Sequence, residues 1–125
     1  MKLRVKIWLE RDGKVFGDGA ADLLERVRRL GSLRRAALEL GMSYAQAWQL
    51  VRDLESRLGF PLLERRVGGR GGGGSGLTPA AVSLLERYRA FRRESQDFVE
   101  DSFRRHLAST FGDYQVIPPG QRNPR

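Results

Sequence analysis

A glycine- and arginine-rich stretch, residues 65–79 with the sequence RRVGGRGGGGSGLTP, carries the most distinctive chemistry of the chain. Seven of its fifteen positions are glycine and three are arginine. A glycine run can serve as a phosphate-binding loop, as a flexible linker or as the tip of a β-hairpin. Arginine binds phosphates and guanine edges through its planar guanidinium fork. The residues around this stretch decide which of these uses applies.

A phosphate-binding loop of a nucleotide-binding enzyme requires the motif G-x-x-x-x-G-K-[ST] between a buried strand and a helix. No lysine follows these glycines, and no βαβ unit with an acidic residue about 20 positions downstream is visible. The chain has no cysteine and a single histidine, His106, so little is available for zinc or for imidazole-based catalysis. We interpret His106 as a solvated helix residue. The sequence therefore predicts no catalytic site, no metal site and no cofactor.

The flanks of the glycine run favour a hairpin over a linker. A linker separates two units that each bury a core, but only one long helix and a tail follow, and these cannot fold alone. The segments 61–67 and 76–79 instead predict two strands with a basic tip between them. Glycine lets the backbone approach a phosphate or a minor groove, and Arg65, Arg66 and Arg70 supply positive charge. A mobile solvated loop with incidental arginines is the open alternative.

The charge balance indicates a polyanionic partner. Lysine and arginine number 23 against 15 acidic residues, which gives a net charge of +8 and an isoelectric point near 10.9. Such a balance favours nucleic acid or, less often, an anionic membrane surface. No apolar run approaches the roughly 18 residues of a membrane span, and no signal-peptide core is visible at the N-terminus. We therefore expect a cytoplasmic protein without a membrane partner.

The N-terminal segment predicts a strand followed by a helix. KLRVKIWLE (2–10) alternates apolar and polar residues, which is typical of a half-buried strand. Asp12-Gly13 favours a tight turn into a short second strand at 14–16. After residues 17–19, apolar residues recur with helical spacing up to Gly31, the expected C-terminal cap.

Two short helices come next and form a helix-turn-helix pattern. Ser32 caps the first of them, and Ser43 caps the second, which runs to about Leu58. Only a short turn that contains Gly41 separates the two helices. The small residues at positions 36 and 37 are typical of helices that cross closely.

The segment 43–58 is the candidate recognition helix, because the second helix of such a pair enters the major groove. Gln46 and Gln49 are suited to adenine, and Arg52 to guanine or phosphate. The serine caps leave backbone N–H groups for phosphates. We interpret Trp48, at the edge of the apolar stripe, as a core residue rather than a DNA contact. The candidate DNA-binding residues are Ser32, Ser43, Tyr44, Ala45, Gln46, Gln49, Arg52, Arg65, Arg66 and Arg70.

A long helix is predicted after the glycines. Thr78 caps it, Pro79 takes its first position, and it runs to about Phe111. Its near-heptad apolar stripe favours packing against a second copy in a homodimer, with folding back on the first helix as the alternative. The dimerisation candidates are Leu84, Tyr88, Phe91, Phe98, Val99 and Phe103. We expect one domain over residues 1–111 and a disordered tail over 112–125, where no periodicity is visible.

The sequence resembles the N-terminal DNA-binding domain of ModE-type molybdate-responsive regulators over about residues 1–110. The resemblance rests on GMSYAQAW (41–48), LGFPLLERR (58–66), the glycine-rich wing and LLERYR (84–89). The GxPLLERR…LTP pattern is also similar to LysR-type regulators. The resemblance implies a winged helix that dimerises through its first and last long helices and binds a palindromic operator. ModE-type proteins usually continue into molybdate-binding β-barrels, which would begin near Arg125, so we expect no direct molybdate site in this chain.

These observations predict a mainly α fold with a small β component: a winged helix-turn-helix with an N-terminal strand and a long C-terminal dimerisation helix. The predicted function is that of a sequence-specific, dimeric transcriptional regulator that binds double-stranded DNA and is not an enzyme. Two alternatives stay open. One is a non-specific nucleoid-type DNA- or RNA-binding protein, and the other is an adaptor whose wing and long helix recruit a protein.

Overall fold

The structure, a computed structural model, describes residues 1–66 and 74–121, without the side chain of Arg66. Helices form most of it, and three two-stranded β-pairs accompany them. The strands are β1 (Lys2–Leu3), β2 (Trp8–Glu10), β3 (Lys14–Gly17), β4 (Leu63–Arg66), β5 (Gly74–Leu77) and β6 (Gln115–Val116). The helices are α1 (Asp18–Leu30), α2 (Leu33–Glu39), α3 (Tyr44–Leu58), α4 (Pro79–His106) and α5 (Ala108–Phe111).

The N-terminal strand is interrupted rather than continuous over 2–10. Its first part, β1, and its second part, β2, are separated by residues 4–7. The carbonyl of Val5 accepts a hydrogen bond of 2.6 Å from the guanidinium of Arg92, so this backbone bonds to a side chain of α4 instead of a neighbouring strand. The predicted return strand is confirmed, because β2 pairs antiparallel with β3. The turn between them carries positive φ angles, 53° at Asp12 and 115° at Gly13.

Helices α1, α2 and α3 confirm the helix-turn-helix prediction. Gly31 ends α1 in the left-handed conformation with φ 68°, and Gly59 ends α3 with φ 87°. The core between these helices holds Leu23, Leu24 and Val27 of α1, Leu33 and two alanines of α2, and the stripe of α3. Ala36 and Ala37 are almost fully buried, at 0% and 1% exposure. Their small size lets the helices cross closely, as the sequence predicts.

The wing is an antiparallel pair of strands, β4 and β5, in which Leu63 lies opposite Leu77 and Arg66 opposite Gly74. Hydrogen bonds at both ends of its described strands fix it in place. The amide of Thr78 donates to the carbonyl of Leu62 at 3.0 Å, and the amide of Ser75 donates to the carbonyl of Gly31 at 3.0 Å. The predicted tip, including Arg70, lies outside the described residues.

The long helix is shorter than predicted. Thr78 caps it as expected, its hydroxyl accepting from the amide of Ala81, but α4 ends at His106 and the separate helix α5 follows. The chain turns there so that aromatic rings can pack on Phe103. The ring centroid of Phe111 lies 6.4 Å from that of Phe103, and the centroid of Tyr114 lies 4.7 Å from it.

Residues 112–121 differ from the expected disordered tail. Strand β6 pairs in parallel with β1, and Ile117 is buried at 5% exposure. The amide of Ile117 donates to the carbonyl of Leu3 at 2.9 Å. The segment is held mainly by backbone pairing and one apolar side chain, neither of which produces a periodic sequence pattern. Along the described part of the chain, no helix combines the length and the apolar character that crossing a membrane requires.

Candidate nucleic-acid interface

Helix α3 presents a largely polar face to solvent because its buried apolar residues lie on the other side. Ala47, Val51 and Leu54 are buried in the core, where α3 packs against α2 and β3. The predicted α3 residues lie on the opposite, exposed side: Tyr44, Ala45, Gln46, Gln49 and Arg52. The amphipathic pattern therefore sets which side chains of this helix can reach a partner.

Two of the predicted contact residues hold the start of α3. The hydroxyl of Ser43 accepts from the amide of Gln46 at 3.0 Å, and the side-chain oxygen of Gln46 accepts from the amide of Ser43 at 2.9 Å. This reciprocal capping box satisfies backbone donors that would otherwise stay unpaired. The carboxamide oxygen of Gln46 is thus engaged within the helix. Of the two glutamines, Gln49 lies further along the exposed face, where its amide donates to Asp53 at 2.9 Å.

Ser32 plays the same part for α2. Its hydroxyl accepts from the amide of Arg35 at 3.1 Å and so fixes the first turn of the helix. Both serine hydroxyls therefore act as acceptors that fix the first turns of α2 and α3, and these bonds leave their O–H groups able to donate.

The arginines of α1 and those of α2 and α3 differ in their partners. Arg29 pairs with Glu39 at 2.7 Å, Arg28 lies 3.5 Å from Glu86, and Arg26 pairs with Asp22. By contrast, within the residues that the structure describes, none of the ion pairs involves the exposed arginines of the helix-turn-helix face, which are Arg34, Arg35 and Arg52. This face therefore keeps its positive charge for an external anion.

A row of alternating cationic and aromatic side chains crosses from α2 to α3. The guanidinium carbon of Arg34 lies 4.2 Å from the centroid of the Tyr44 ring. The rings of Tyr44 and Trp48 meet edge to face, with centroids 6.1 Å apart and planes at 81°. The guanidinium carbon of Arg52 lies 6.0 Å from the centroid of Trp48. Trp48 is half-buried against the core, in line with its predicted core role, and it also supports this exposed row.

The wing is oriented by hydrogen bonds from both of its strands to the helices. One carboxylate oxygen of Glu55, on α3, accepts from the amides of Leu62 and Leu63 at 2.6 and 3.4 Å. Together with the bond from Ser75 to Gly31, this ties β4 to α3 and β5 to the corner between α1 and α2. Arg65 is exposed on β4, and the backbone of Arg66 ends that strand. The wing and the recognition helix candidate are therefore held in one orientation.

The dimerisation candidates on α4 fall into two groups. Phe91 and Phe98 are exposed, at 47% and 69%. The other four face the protein itself to different degrees: Leu84, Val99 and Phe103 are half-buried and Tyr88 is buried. Tyr88 is 5% exposed and its ring packs against Phe16 at 5.0 Å between centroids. Tyr88 is thus a core residue rather than part of an exposed stripe, because the first half of α4 packs on α1.

Sequence reasoning missed a buried polar cluster that joins α4 to α1. Arg92 and Gln96 are only 3% and 4% exposed. Arg92 donates to Asp18 at 3.1 Å, and to the side-chain oxygen of Gln96 at 2.8 Å. The available signal was spacing, because these two residues continue the buried face of Leu85 and Tyr88 at helical intervals. Burial and the neighbouring Asp18 carboxylate raise the pKa of the Tyr88 hydroxyl well above its usual value.

Comparison with known proteins places this geometry in a family. A family described as "Bacterial regulatory helix-turn-helix protein, lysR family" matches residues 20–82, which run from α1 to the start of α4. The chain is 42% identical over 77 residues to the molybdenum transport protein ModE of Herbaspirillum seropedicae. It is 35% identical over 105 residues to the molybdenum transport protein ModE of Azotobacter vinelandii. These matches cover 62% and 84% of this chain, but only 29% and 39% of the respective relatives.

A solved structure shares the fold. It is the crystal structure of the CbnR_DBD-DNA complex, which superimposes with a TM-score of 0.54 and 26% sequence identity. The match covers 70% of this chain and 94% of the other. The fold class predicted from the sequence, a winged helix-turn-helix followed by a long helix, is confirmed by this match and by the family match. The chain belongs to the lysR family of bacterial regulatory helix-turn-helix proteins.

Proposed function

We propose that this protein is a sequence-specific, dimeric transcriptional regulator that binds double-stranded DNA and acts by binding alone, without catalysis. The observation that carries the proposal is the α2–α3 face, whose exposed arginines lie outside the ion pairs of the described residues while the arginines of α1 are paired. Such a face attracts phosphates, and helix α3 is the element that enters a major groove in this fold. Its partner would be the chromosome, in the bacterial cytoplasm.

The relatives support this assignment. The solved structure that shares the fold is named as a complex with DNA, and the matching region of this chain contains the helix-turn-helix and the wing. The curated relatives are named for molybdenum, but this chain spans 29% and 39% of their lengths. We propose that the residues of this chain contact DNA and supply no molybdate site of their own.

In the proposed complex, α3, α2 and the wing would contact different parts of the DNA. Gln49 and Arg52 would contact base edges or phosphates from α3, and Arg34 and Arg35 would approach the backbone from α2. Arg65 and Arg66 would bring the wing to the backbone or the minor groove. Ser32, Ser43 and Gln46 would act by orienting their helices and by leaving backbone N–H groups near phosphates.

Dimerisation would use the exposed aromatic residues of α4. Phe91 and Phe98 are seven positions apart, so both lie on one face of the helix. Pairing two such faces would bury these rings and set two α3 helices about 34 Å apart, one turn of DNA. Phe103, which packs on Phe111 and Tyr114 of the same chain, would contribute less than the heptad pattern predicts.

The test is selection of a preferred site from a random DNA pool, followed by affinity measurements at near-physiological salt. We expect a pseudo-palindromic site that is bound at least about tenfold more tightly than random DNA. Arg52→Ala should weaken binding. It should also reduce the slope of log affinity against log salt concentration by about one, because one phosphate contact is lost. Arg104→Ala, which removes one charge near the far end of α4, is the matched control and should leave both quantities unchanged.

The outcomes separate the alternatives. Equal affinity for all fragments would contradict sequence-specific regulation and favour a nucleoid-type protein. If the wild type binds no DNA measurably at low salt, DNA binding itself is contradicted and the adaptor role is favoured.

A further inference from the structure

The exposed ring of Tyr44 is held more rigidly than a surface tyrosine needs to be. One face of the ring lies under the Arg34 guanidinium at 4.2 Å, and one edge meets the half-buried Trp48. Arg34 comes from α2 and Trp48 from α3, so both helices of the motif fix the ring. Even so, 37% of Tyr44 is exposed, and it lies in the first turn of α3.

The Tyr44 ring is a fixed apolar surface in the first turn of α3, and DNA presents a matching apolar group in the major groove. The first turn of the recognition helix is the part that approaches base edges in the major groove. Only thymine presents an apolar group there, its C5-methyl group, and aromatic or aliphatic carbon is what contacts it. Among the other exposed residues of this face, Gln46, Gln49 and Arg52 suit hydrogen-bonding edges, and Ala45 offers a single methyl group where Tyr44 offers a whole ring.

We propose that Tyr44, positioned by Arg34 and Trp48, reads the methyl group of a thymine in each half-site of the DNA target. The inference rests on the proposed function and identifies thymine as one base that helix α3 distinguishes. Tyr44 is the specificity-determining residue, because its ring makes the contact. Arg34 is a positioning residue, whose stacking keeps the ring from turning away.

The experiment replaces thymine by deoxyuridine, one position at a time, in the selected DNA site. This change removes only the methyl group and keeps the base pair. We expect one position per half-site where the wild-type protein loses about fourfold in affinity, the effect of one buried methyl group. In Tyr44→Ala the affinity should be lower overall and should no longer respond to deoxyuridine at that position. Tyr44→Phe keeps the ring and should keep the response.

Two matched variants test the positioning role. Arg34→Ala and Arg35→Ala each remove one positive charge from the same helix, but only Arg34 stacks on Tyr44. Both should weaken binding through lost charge, whereas only Arg34→Ala should reduce the response to deoxyuridine. Gln49→Ala should retain the response in full. Thermal unfolding of each variant checks that the fold is kept.

The outcomes are distinguishable from those of the proposed function. If a preferred site exists but no deoxyuridine substitution alters affinity, or if Tyr44→Ala responds like the wild type, this inference is wrong while sequence-specific binding stands. If the wild type prefers no site, both are wrong. An equal response in Arg34→Ala and Arg35→Ala would overturn the positioning role of Arg34.

Discussion

At the scale of single residues, Gly74 sits where the wing meets the helix-turn-helix. It begins β5, and the next amide, that of Ser75, donates to the carbonyl of Gly31 at the corner between α1 and α2. A Cβ atom at position 74 would overlap that carbonyl oxygen. The close approach of the two backbones therefore requires glycine at position 74.

Gly74→Ala should detach the start of β5 from the corner between α1 and α2. We expect the free energy of unfolding to fall by about 1–3 kcal/mol, because the overlap must be relieved by a backbone shift, and DNA affinity to fall with it. Chemical denaturation and DNA titration measure the two effects. Gly19→Ala, near the start of α1 with open space around its Cβ position, is the control and should not destabilise the protein. A neutral Gly74→Ala would contradict the tight docking of the wing.

Tyr88 gives the fold a sensitivity to alkaline pH. Its hydroxyl donates to Asp18 at 2.6 Å, and its pKa is raised first by burial and then by that carboxylate. Above pH of about 10 the unfolded chain loses this proton while the folded chain keeps it. Proton loss then favours the unfolded state, so stability falls as the pH rises beyond that point.

Tyr88→Phe should remove this contribution. At pH 8 we expect the variant to be about 1 kcal/mol less stable, because one hydrogen bond is lost. From about pH 10, the usual pKa of tyrosine, to about pH 12, the variant should lose stability less steeply than the wild type. Urea unfolding across this range measures both slopes. Parallel slopes would show that Tyr88 does not titrate differently in the two states.

At the scale of elements, most of the architecture was predictable because it depends on local signals. Serine caps, glycine ends and apolar spacing predicted α1, α2 and α3, and the apolar flanks of the glycine run predicted β4 and β5. What failed depends on long-range contacts. Arg92 and Gln96 are polar residues on a buried face, and β6 is held by a strand at the other end of the chain. Apolar periodicity does not report such contacts, although helical spacing does place Arg92 and Gln96 on the buried face of α4.

The candidate site was predictable to a similar extent. The exposed side of α3 followed from its amphipathic pattern, so the exposure of Gln49 and Arg52 was predictable from sequence, while their contact with DNA stays a prediction. The pairing of Ser43 with Gln46 was missed although its S-x-x-Q spacing is a sequence signature of a capping box. The stacking of Arg34 on Tyr44 was missed because it depends on side-chain geometry across two helices. The heptad pattern likewise could not separate the exposed Phe98 from the buried Tyr88.

The cap of α3 gives a prediction at this scale. Ser43→Ala removes the hydroxyl that accepts from the amide of Gln46 and should cost about 1 kcal/mol of unfolding free energy. DNA affinity should fall as well, because the first turn of the helix would fray. Ser56→Ala, an exposed serine within α3, is the control and should change the stability by less than about 0.5 kcal/mol. Equal effects of the two substitutions would contradict the role of the capping box.

At the scale of the whole molecule, the exposed arginines of the proposed DNA-binding face and the exposed rings of the proposed dimer interface lie on different elements. Arg34, Arg35 and Arg52 lie on α2 and α3, whereas Phe91 and Phe98 lie on α4. In the proposed dimer, association through α4 would therefore not bring the two basic faces against each other. One chain would then contribute to the dimer and to DNA binding at once.

Phe98→Asp should shift the protein to a monomer at about 10 µM, because it places two like charges in the proposed interface, and DNA affinity should fall because one half-site contact is lost. Light scattering and sedimentation equilibrium measure the state of association. Leu38→Ser, which removes the exposed leucine of α2, is the control for non-specific apolar association and should leave the dimer intact. A wild type that is monomeric at this concentration would contradict the proposed dimer.

The pairing of β6 with β1 has a consequence for the order in which the fold opens. Arg4 and Gln121, which hydrogen-bond beside this pair, are 117 positions apart in the chain. A contact between residues so far apart in the sequence closes a long loop, which costs conformational entropy. It also receives little support from neighbouring local structure. The contacts of this pair also involve few residues, so we expect them to have the lowest local opening free energy. The amide of Ile117 should then exchange with solvent hydrogen earlier than the amides of α3, which leaves the helix-turn-helix intact while both terminal segments are released.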